Sequence, residues 1–334
     1  MKPSSDIYFF VGSNFKNKGG VEIHLKNLIS NLGHKNISVI ANIINRNEIE
    51  SLLPNTKLIF ANYDNSTFSI IKRFLLVVRL PRNAIFHFHD YNSFIKFGFF
   101  AKLIIKSKLY VTFHGWEGHY PLFRRDKLIR RLVKYFADAT INVGEFIKTW
   151  YNTIGDETIY GGVSGKKTNL PKGPIDNLVM YYVGRVALDS GFISFLEHVI
   201  DVRYNCVYII GAKRQDLTPE LSSRLQYFES NIKIEFLGWY DDPYSCIPKQ
   251  SKVFTTGYLS ILEALENDLE IYSSYENPLK KDYLIHSPFS QYINIIDAEK
   301  NEILITREKL PNSVNWAEDF GWTRVVEAYE RVWK

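Results

Sequence analysis

The 334-residue chain is 46% hydrophobic and 15% aromatic, enough for two packed cores rather than one. Its net charge of +5 conceals opposite halves: residues 1–150 hold 22 Lys/Arg against 10 Asp/Glu, and the remainder 19 against 26. No run reaches the roughly 18 uncharged apolar residues of a membrane span, Cys206 and Cys246 give neither a disulfide framework nor a metal spacing, and one Lys ahead of IYFFV is too short for a secretory leader, so the expected setting is reducing and cytoplasmic.

In chain order, IYFFVGS (7–13) reads as a strand and VEIHLKNLISNLG (21–33) as an amphipathic helix, apolar at 21, 25, 28, 29 and 32 and stopped by Gly33. ISVIANII (37–44), KLIFAN (57–62), AIFHFHD (84–90) and KLYVTFHG (108–115) read as strands, RRDKLIRRLVKYF (124–136) as a basic helix, and ATINVG (139–144) as a strand. FLLVVRL (74–80) and FGFFAKLII (97–105) are the longest apolar runs, both short and broken by charge. GGVSGKKTNLPKGPIDN (161–177) has linker composition. The alternation then restarts: strands at 177–184, 206–211, 232–238, 252–256 and 270–274, with helices at 191–201, 219–229, 243–249 and 259–266. Strand–helix alternation of this kind predicts an α/β fold with two doubly wound parallel sheets, in which ligands bind beyond the carboxyl ends of the strands.

Four strand ends hold the residues with chemistry. In VGSNFKNKGGVEIH (11–24), Gly19 and Gly20 precede a helix whose first amides can meet a phosphate. In TFHGWEGHYP (112–121), His114 ends a strand, and His87 and His89 end the one before; a metal site would need a further ligand that neither stretch supplies. In YYVGRVALDSG (181–191), Arg185 is placed to hold a diphosphate by charge-assisted bonds, or to sit in a surface ion pair. In KVFTTGYLSILEAL (252–265), the amides of Leu259, Ser260, Ile261 and Leu262 can bind a diphosphate while Glu263, one turn in, accepts from vicinal ribose hydroxyls; Glu266 reads as an ordinary solvent-facing helix glutamate.

Taken in order, GGVEIHLKNLISNL, TFHGWE, YYVGRVALDSG, FLGWYDDPYSCIPKQSKVFTTGYLSILEAL (236–265) and FGWTRVVEAYERVW (320–333) resemble the family 4 retaining glycosyltransferases of GT-B fold over nearly the whole chain. The resemblance implies two Rossmann-like domains facing each other across a cleft. Residues 1–165 would bind the acceptor, 166–319 the nucleotide sugar, and the helix at 320–334 would cross back to the first domain. It also implies sugar transfer from a nucleotide diphosphate, UDP- or GDP-linked, to the hydroxyl of a glycan or lipid-linked acceptor, with no separate cofactor and no metal. His114, Arg185 and Glu263 would then be catalytic; Gly19, Gly20, Ser190, Lys213, Gly238, Trp239, Thr255, Gly257 and Tyr258 would join 259–263 around the donor, and Trp116 and Glu117 would face the acceptor.

Three departures matter. Thr255 stands eight residues before Glu263, where the family has a glutamate; Ser190 replaces a phosphate-binding lysine; and Gly161-Gly162-Val163-Ser164 replaces Asn-Gly-Val-Asp. Lys213 or Arg214 is expected to supply the missing positive charge. The Asp241-Asp242 pair reads as a turn before Pro243, and the basic helix at 124–136 as either a solvated face or a contact with an anionic membrane on the cytoplasmic side. The competing readings are a degenerate GT-B protein that binds donor without transfer, an epimerase of the same fold, and a nucleic-acid binder through the basic half, for which no motif is present.

Overall fold

The computed structural model describes residues 6–12, 19–33, 36–105, 107–115, 120–163, 171, 176–188, 190–297, 302–305, 317 and 319–334. Trp116, Glu117, Ser164 and most of the linker-like stretch lie outside them. The chain forms two compact units, one of residues 1–161 with 322–334 and the other of residues 162–321.

The first unit is built on strands β1 (Ile7–Val11), β2 (Ile37–Asn42), β3 (Lys57–Ala61), β4 (Ile85–His89), β5 (Leu109–Phe113), β6 (Ala139–Asn142) and β7 (Glu157–Thr158), all parallel, in the order β3-β2-β1-β4-β5-β6-β7. β1 and β5 are buried at every position, as strands covered on both faces must be, which is why they read as unbroken apolar runs. The helices are α1 (Gly20–Asn31), α2 (Arg46–Leu52), α3 (Thr67–Val78), α4 (Tyr91–Phe100), α5 (Arg124–Phe136) and α6 (Phe146–Tyr151). Both apolar runs noted above are helical: 74–80 ends α3, and 97–105 joins α4 to a π-helical turn, Ala101–Ile105.

The second unit repeats the plan with β8 (Val179–Val183), β9 (Cys206–Ile210), β10 (Lys233–Gly238), β11 (Lys252–Phe254), β12 (Glu270–Ser274), β13 (Asn294–Ile296) and β14 (Ile303–Ile305), in the order β10-β9-β8-β11-β12-β13-β14; only the β13–β14 pair is antiparallel. Its helices are α7 (Phe192–Val202), α8 (Pro219–Glu229), α9 (Tyr258–Glu266) and α10 (Pro278–Ile285). One face of the sheet packs Val253, Ile271 and Ile295 against Ile261, Leu262 and Leu265 of α9; the other packs Met180, Tyr182 and Phe254 against Phe192, Phe195 and Val199 of α7. The helix expected at 243–249 is a single 3-10 turn, Pro243–Cys246, started by the Asp242 carboxylate accepting from Tyr244 N at 3.1 Å. Pro248 explains why it goes no further, since it disfavours helical geometry at Ile247.

The last helix, α11 (Trp322–Val332), belongs to the first unit. It packs on α1 and buries Trp322, Val325, Ala328 and Tyr329, with Trp333 just beyond, one stripe at helical spacing. Val163 N donates to Phe320 O at 2.9 Å, stitching together the two ends of the second unit.

In both sheets the chain steps outward from a central strand and then returns to that strand's other side, at β1/β4 and at β8/β11. These reversals leave a crevice at the strands' carboxyl ends.

Candidate functional site

The second unit's crevice lies between two laced loops. Phe254 of β11 pairs with Tyr182 of β8, so Gly184-Arg185 and Thr255-Thr256-Gly257 leave neighbouring strands. Thr256 Oγ1 donates to Ser190 O at 2.9 Å, and Tyr182 Oη donates to Arg185 O at 2.8 Å. The backbone of Arg185 is thereby fixed while the residue stays exposed. Ser190 is placed differently from the sequence expectation of a donor contact. Its hydroxyl donates to Ala187 O at 2.7 Å, accepts from Ala187 N at 3.1 Å and is buried inside the loop, so it substitutes for no phosphate-binding lysine. Thr255 continues the ladder, its amide donating to Tyr272 O at 3.0 Å, and is only 1% exposed. Its hydroxyl faces packed protein and finds no hydrogen-bond partner among the described residues.

α9 starts at this crevice. Its N-cap is Gly257, and no side chain caps the helix, leaving the first amides for another partner. Those amides are on Tyr258, Leu259 and Ser260; Ile261 N donates to Gly257 O at 2.9 Å, and Ile261 and Leu262 serve the core. Burial pushes the Glu263 carboxyl up to about 7, with the Glu266 and Asp242 carboxylates adding to the rise. Glu266 is 2% exposed, not solvent-facing as the sequence led one to expect, because it falls on the helix face turned to the sheet with Leu262 and Leu265.

The neighbouring strand ends are shaped by glycines with positive φ. Gly211 (φ +113) sits where a Cβ would lie 2.3 Å from Gly184 O, and its amide donates to Gly238 O at 2.8 Å; Gly238 (φ +85) lies beside Lys213. Trp239 follows, 58% exposed, an open ring suited to stacking. Arg214 is held by the Glu229 carboxylate, with Nη2 to Oε2 at 2.7 Å, which leaves Lys213 as the better placed of the two expected cations.

In the first unit, His114 follows β5 and His87 and His89 lie on β4, sharing one strand face. The sequence missed the rest of the cluster. His24 of α1 has its ring 5.3 Å from that of His114 and bonds Tyr329 of α11 through Nε2 at 2.9 Å. Trp333 Nε1 donates to His87 Nδ1 at 2.9 Å, and His87 Nε2 bonds Thr112 Oγ1 at 2.7 Å, which is 3.0 Å from Tyr329 Oη. Residues separated by as many as 305 positions leave no local signal. Burial holds all four histidines below their ordinary range, His114 to about 3, with the charge of Arg130 a second cause there. Among the described residues no group of three or more His, Cys, Asp or Glu is arranged to hold a metal. Arg130 is fully buried, 3.5 Å from Asp90 and over the Tyr151 ring at 4.2 Å, so it leaves the exposed basic face expected of α5.

The Gly19-Gly20 turn is a poorer anion cradle than the start of α9. Glu22 accepts from Gly19 N at 3.0 Å, so a carboxylate already occupies the helix start. A Cβ on Gly20 would meet nothing within 4 Å.

Two doubly wound units with these strand orders define the GT-B architecture, and the chain has that fold. It is similar to a glycosyltransferase from Rickettsia africae, with 13% identity, a TM-score of 0.71 and 99% and 98% of the two chains covered. It is also similar to Anabaena HepE in complex with UDP (14%, 0.71, 98% and 98%). A third likeness is to sucrose-phosphate synthase from Thermosynechococcus elongatus (13%, 0.69, 98% and 96%). No family model matches the sequence, and no curated protein does.

Proposed function

We propose that the chain is a retaining glycosyltransferase that moves a sugar from a nucleotide diphosphate to an acceptor hydroxyl in glycan biosynthesis. The observation that supports this reading is that β8 and β11, neighbours in the second sheet, lead into an exposed arginine and an uncapped helix start respectively, with Glu263 one turn into that helix and its carboxyl raised by burial. Arg185 and the amides of Tyr258–Ser260 would stabilise charge on the departing diphosphate. Ionised Glu263 would accept from the ribose diol, Trp239 would stack on the base, and Lys213 would add charge. HepE, crystallised with UDP and with UDP-glucose, supports a uridine donor by analogy of fold. His114 would orient the reacting sugar, and the leaving phosphate would take the acceptor's proton in a same-face attack.

The test is thermal shift against UDP-, GDP- and ADP-sugars, followed by product analysis. One UDP- or GDP-sugar should raise Tm, and Glu263→Gln should weaken its binding at least tenfold, the loss of about 1.4 kcal/mol from one charged hydrogen bond. No shift with any donor would sink the reading. A shift without transfer to any acceptor would instead establish the degenerate binding protein.

The acceptor reading rests on the surface of the first unit. On α5 the exposed residues are Arg124, Arg125, Leu128, Arg131, Leu132 and Tyr135. α3, packed on α4, exposes Phe68, Ile71, Leu75 and Val78 beside Lys72 and Arg79, and includes no acidic residue. Apolar stripes rimmed by cations suit an anionic bilayer, each basic residue near it adding about 1 kcal/mol. Lipid-linked acceptors would be reached there. Flotation with anionic vesicles should recover the protein and with neutral vesicles should not; equal recovery would reject the electrostatic contact.

A further inference from the structure

His89 Nδ1 and His114 Nε2 are 3.0 Å apart, and their rings lie stacked at 5.3 Å, 25° from parallel. Burial disfavours the charged form of both imidazoles, and between two neutral rings one nitrogen of the pair donates and the other accepts. His89 is fully enclosed, with the rings of Phe9, His24 and His87 around it, and its other nitrogen, Nε2, finds no partner among the described residues. That orphan decides the direction of the bond. If His114 were the donor, His89 would need its proton on Nε2, a buried N–H facing nothing. If His89 donates, Nε2 is only an unfilled lone pair, and buried lone pairs are tolerated far more readily than buried unpaired N–H groups. The neighbouring histidine shows the opposite case: Trp333 Nε1 can only donate, so His87 Nδ1 accepts and its proton sits on Nε2, toward Thr112.

We infer that His89 is a positioning residue: it donates Nδ1–H to His114 Nε2 and thereby fixes His114 as the tautomer carrying its proton on Nδ1. His114 stays partly exposed at the end of β5, and the nitrogen left for a ligand is then a hydrogen-bond donor. Its basic lone pair is consumed by His89, so His114 offers an N–H to an oxygen, such as a sugar hydroxyl, and does not act as general base. This deepens the transfer reading above and rests on it for the role of His114, whereas the tautomer itself does not.

The tautomers are read directly by long-range 1H–15N correlation on the full chain with 15N-labelled histidine at pH 7.5, assigned with His89→Asn and His114→Asn. The expected pattern is Nδ1–H for His89 and His114 and Nε2–H for His87. Nε2–H at His114 overturns the proposal, whatever the protein's activity. In turnover assays His89→Leu should lower kcat tenfold or more with the donor KM little changed. His89→Asn, whose amide can donate from the Nδ1 position, should recover most of the loss; equal loss in both variants would reject the positioning role. If the tautomers come out as inferred and no transfer is found, the function reading alone fails.

Discussion

A carboxyl that titrates near neutrality makes recognition of a diol depend on pH. Glu263, lifted to about 7 mainly by burial, must be ionised to accept two hydroxyl protons. Donor affinity should therefore rise about tenfold from pH 6 to pH 8, with proton release on binding. Calorimetry in two buffers of different ionisation enthalpy checks both, and flat affinity would place the diol elsewhere. In the free protein the sign is opposite. The folded value is raised, so the contribution to stability is complete below the unfolded value near 4.5 and is lost as pH rises through about 7. The place of Glu263 one turn into a helix was legible in the sequence, because a Gly turn before a short apolar run marks a helix start. Thr255 and Glu266 were not, since their environments depend on which helix face meets the sheet and on where the β11 ladder stops.

Among the elements, the glycines at strand and helix ends separate backbone geometry from ligand approach. Gly211→Ala puts a methyl carbon 2.3 Å from Gly184 O at a φ of +113 and should cost about 2–4 kcal/mol, seen as a lower urea midpoint. Gly20→Ala meets open space in the first turn of α1 and should be neutral or stabilising by about 0.5–1 kcal/mol. If it also leaves donor affinity unchanged, the Gly19–Gly20 turn takes no part in phosphate binding, as the Glu22 cap leads one to expect. α5 offers a similar contrast between adjacent arginines. Arg130→Ala strips a buried cation from Asp90 and three aromatic rings and should destabilise by about 3 kcal/mol or more. Arg131→Ala, on the exposed side, should affect only vesicle binding. The sequence marked α5 as basic but could not say which basic residue is interior, because that follows from the rotation of the helix against α4 and α6. The 243–249 segment was misread for a related reason: its apolar residues suit a helix, but two prolines leave room for one turn.

At the scale of the molecule, two successive strand–helix series predicted two doubly wound sheets, and that is the architecture found. Of the histidine cluster, His87, His89 and His114 were legible as neighbours at adjacent strand ends, but the addition of His24, Tyr329 and Trp333 was not foreseeable, since it needs α1 and α11 in place against β4 and β5. The cluster also gives the first unit a pH limit. All four are held neutral, so below their unfolded value near 6.5 the unfolded chain binds protons that the native one cannot. Each costs about 1.4 kcal/mol per pH unit until its own folded value is reached. Asp90, which follows His89, is paired with Arg130. Thermal scans from pH 7.5 to 5 should show steep loss of stability in the first unit, weakened in a His24→Gln/His87→Gln double variant that retains its fold.

The place of α11 in the first unit has a consequence for biosynthesis. Tyr329 and Trp333 close a core begun by β1, yet residues 322–334 leave the ribosome after the whole of the second unit. The usual amino-to-carboxyl order of maturation is thus reversed: the nascent 162–321 segment can reach its final form while the earlier-made half still waits, its histidines and aromatic rings uncovered, for α11 to be made.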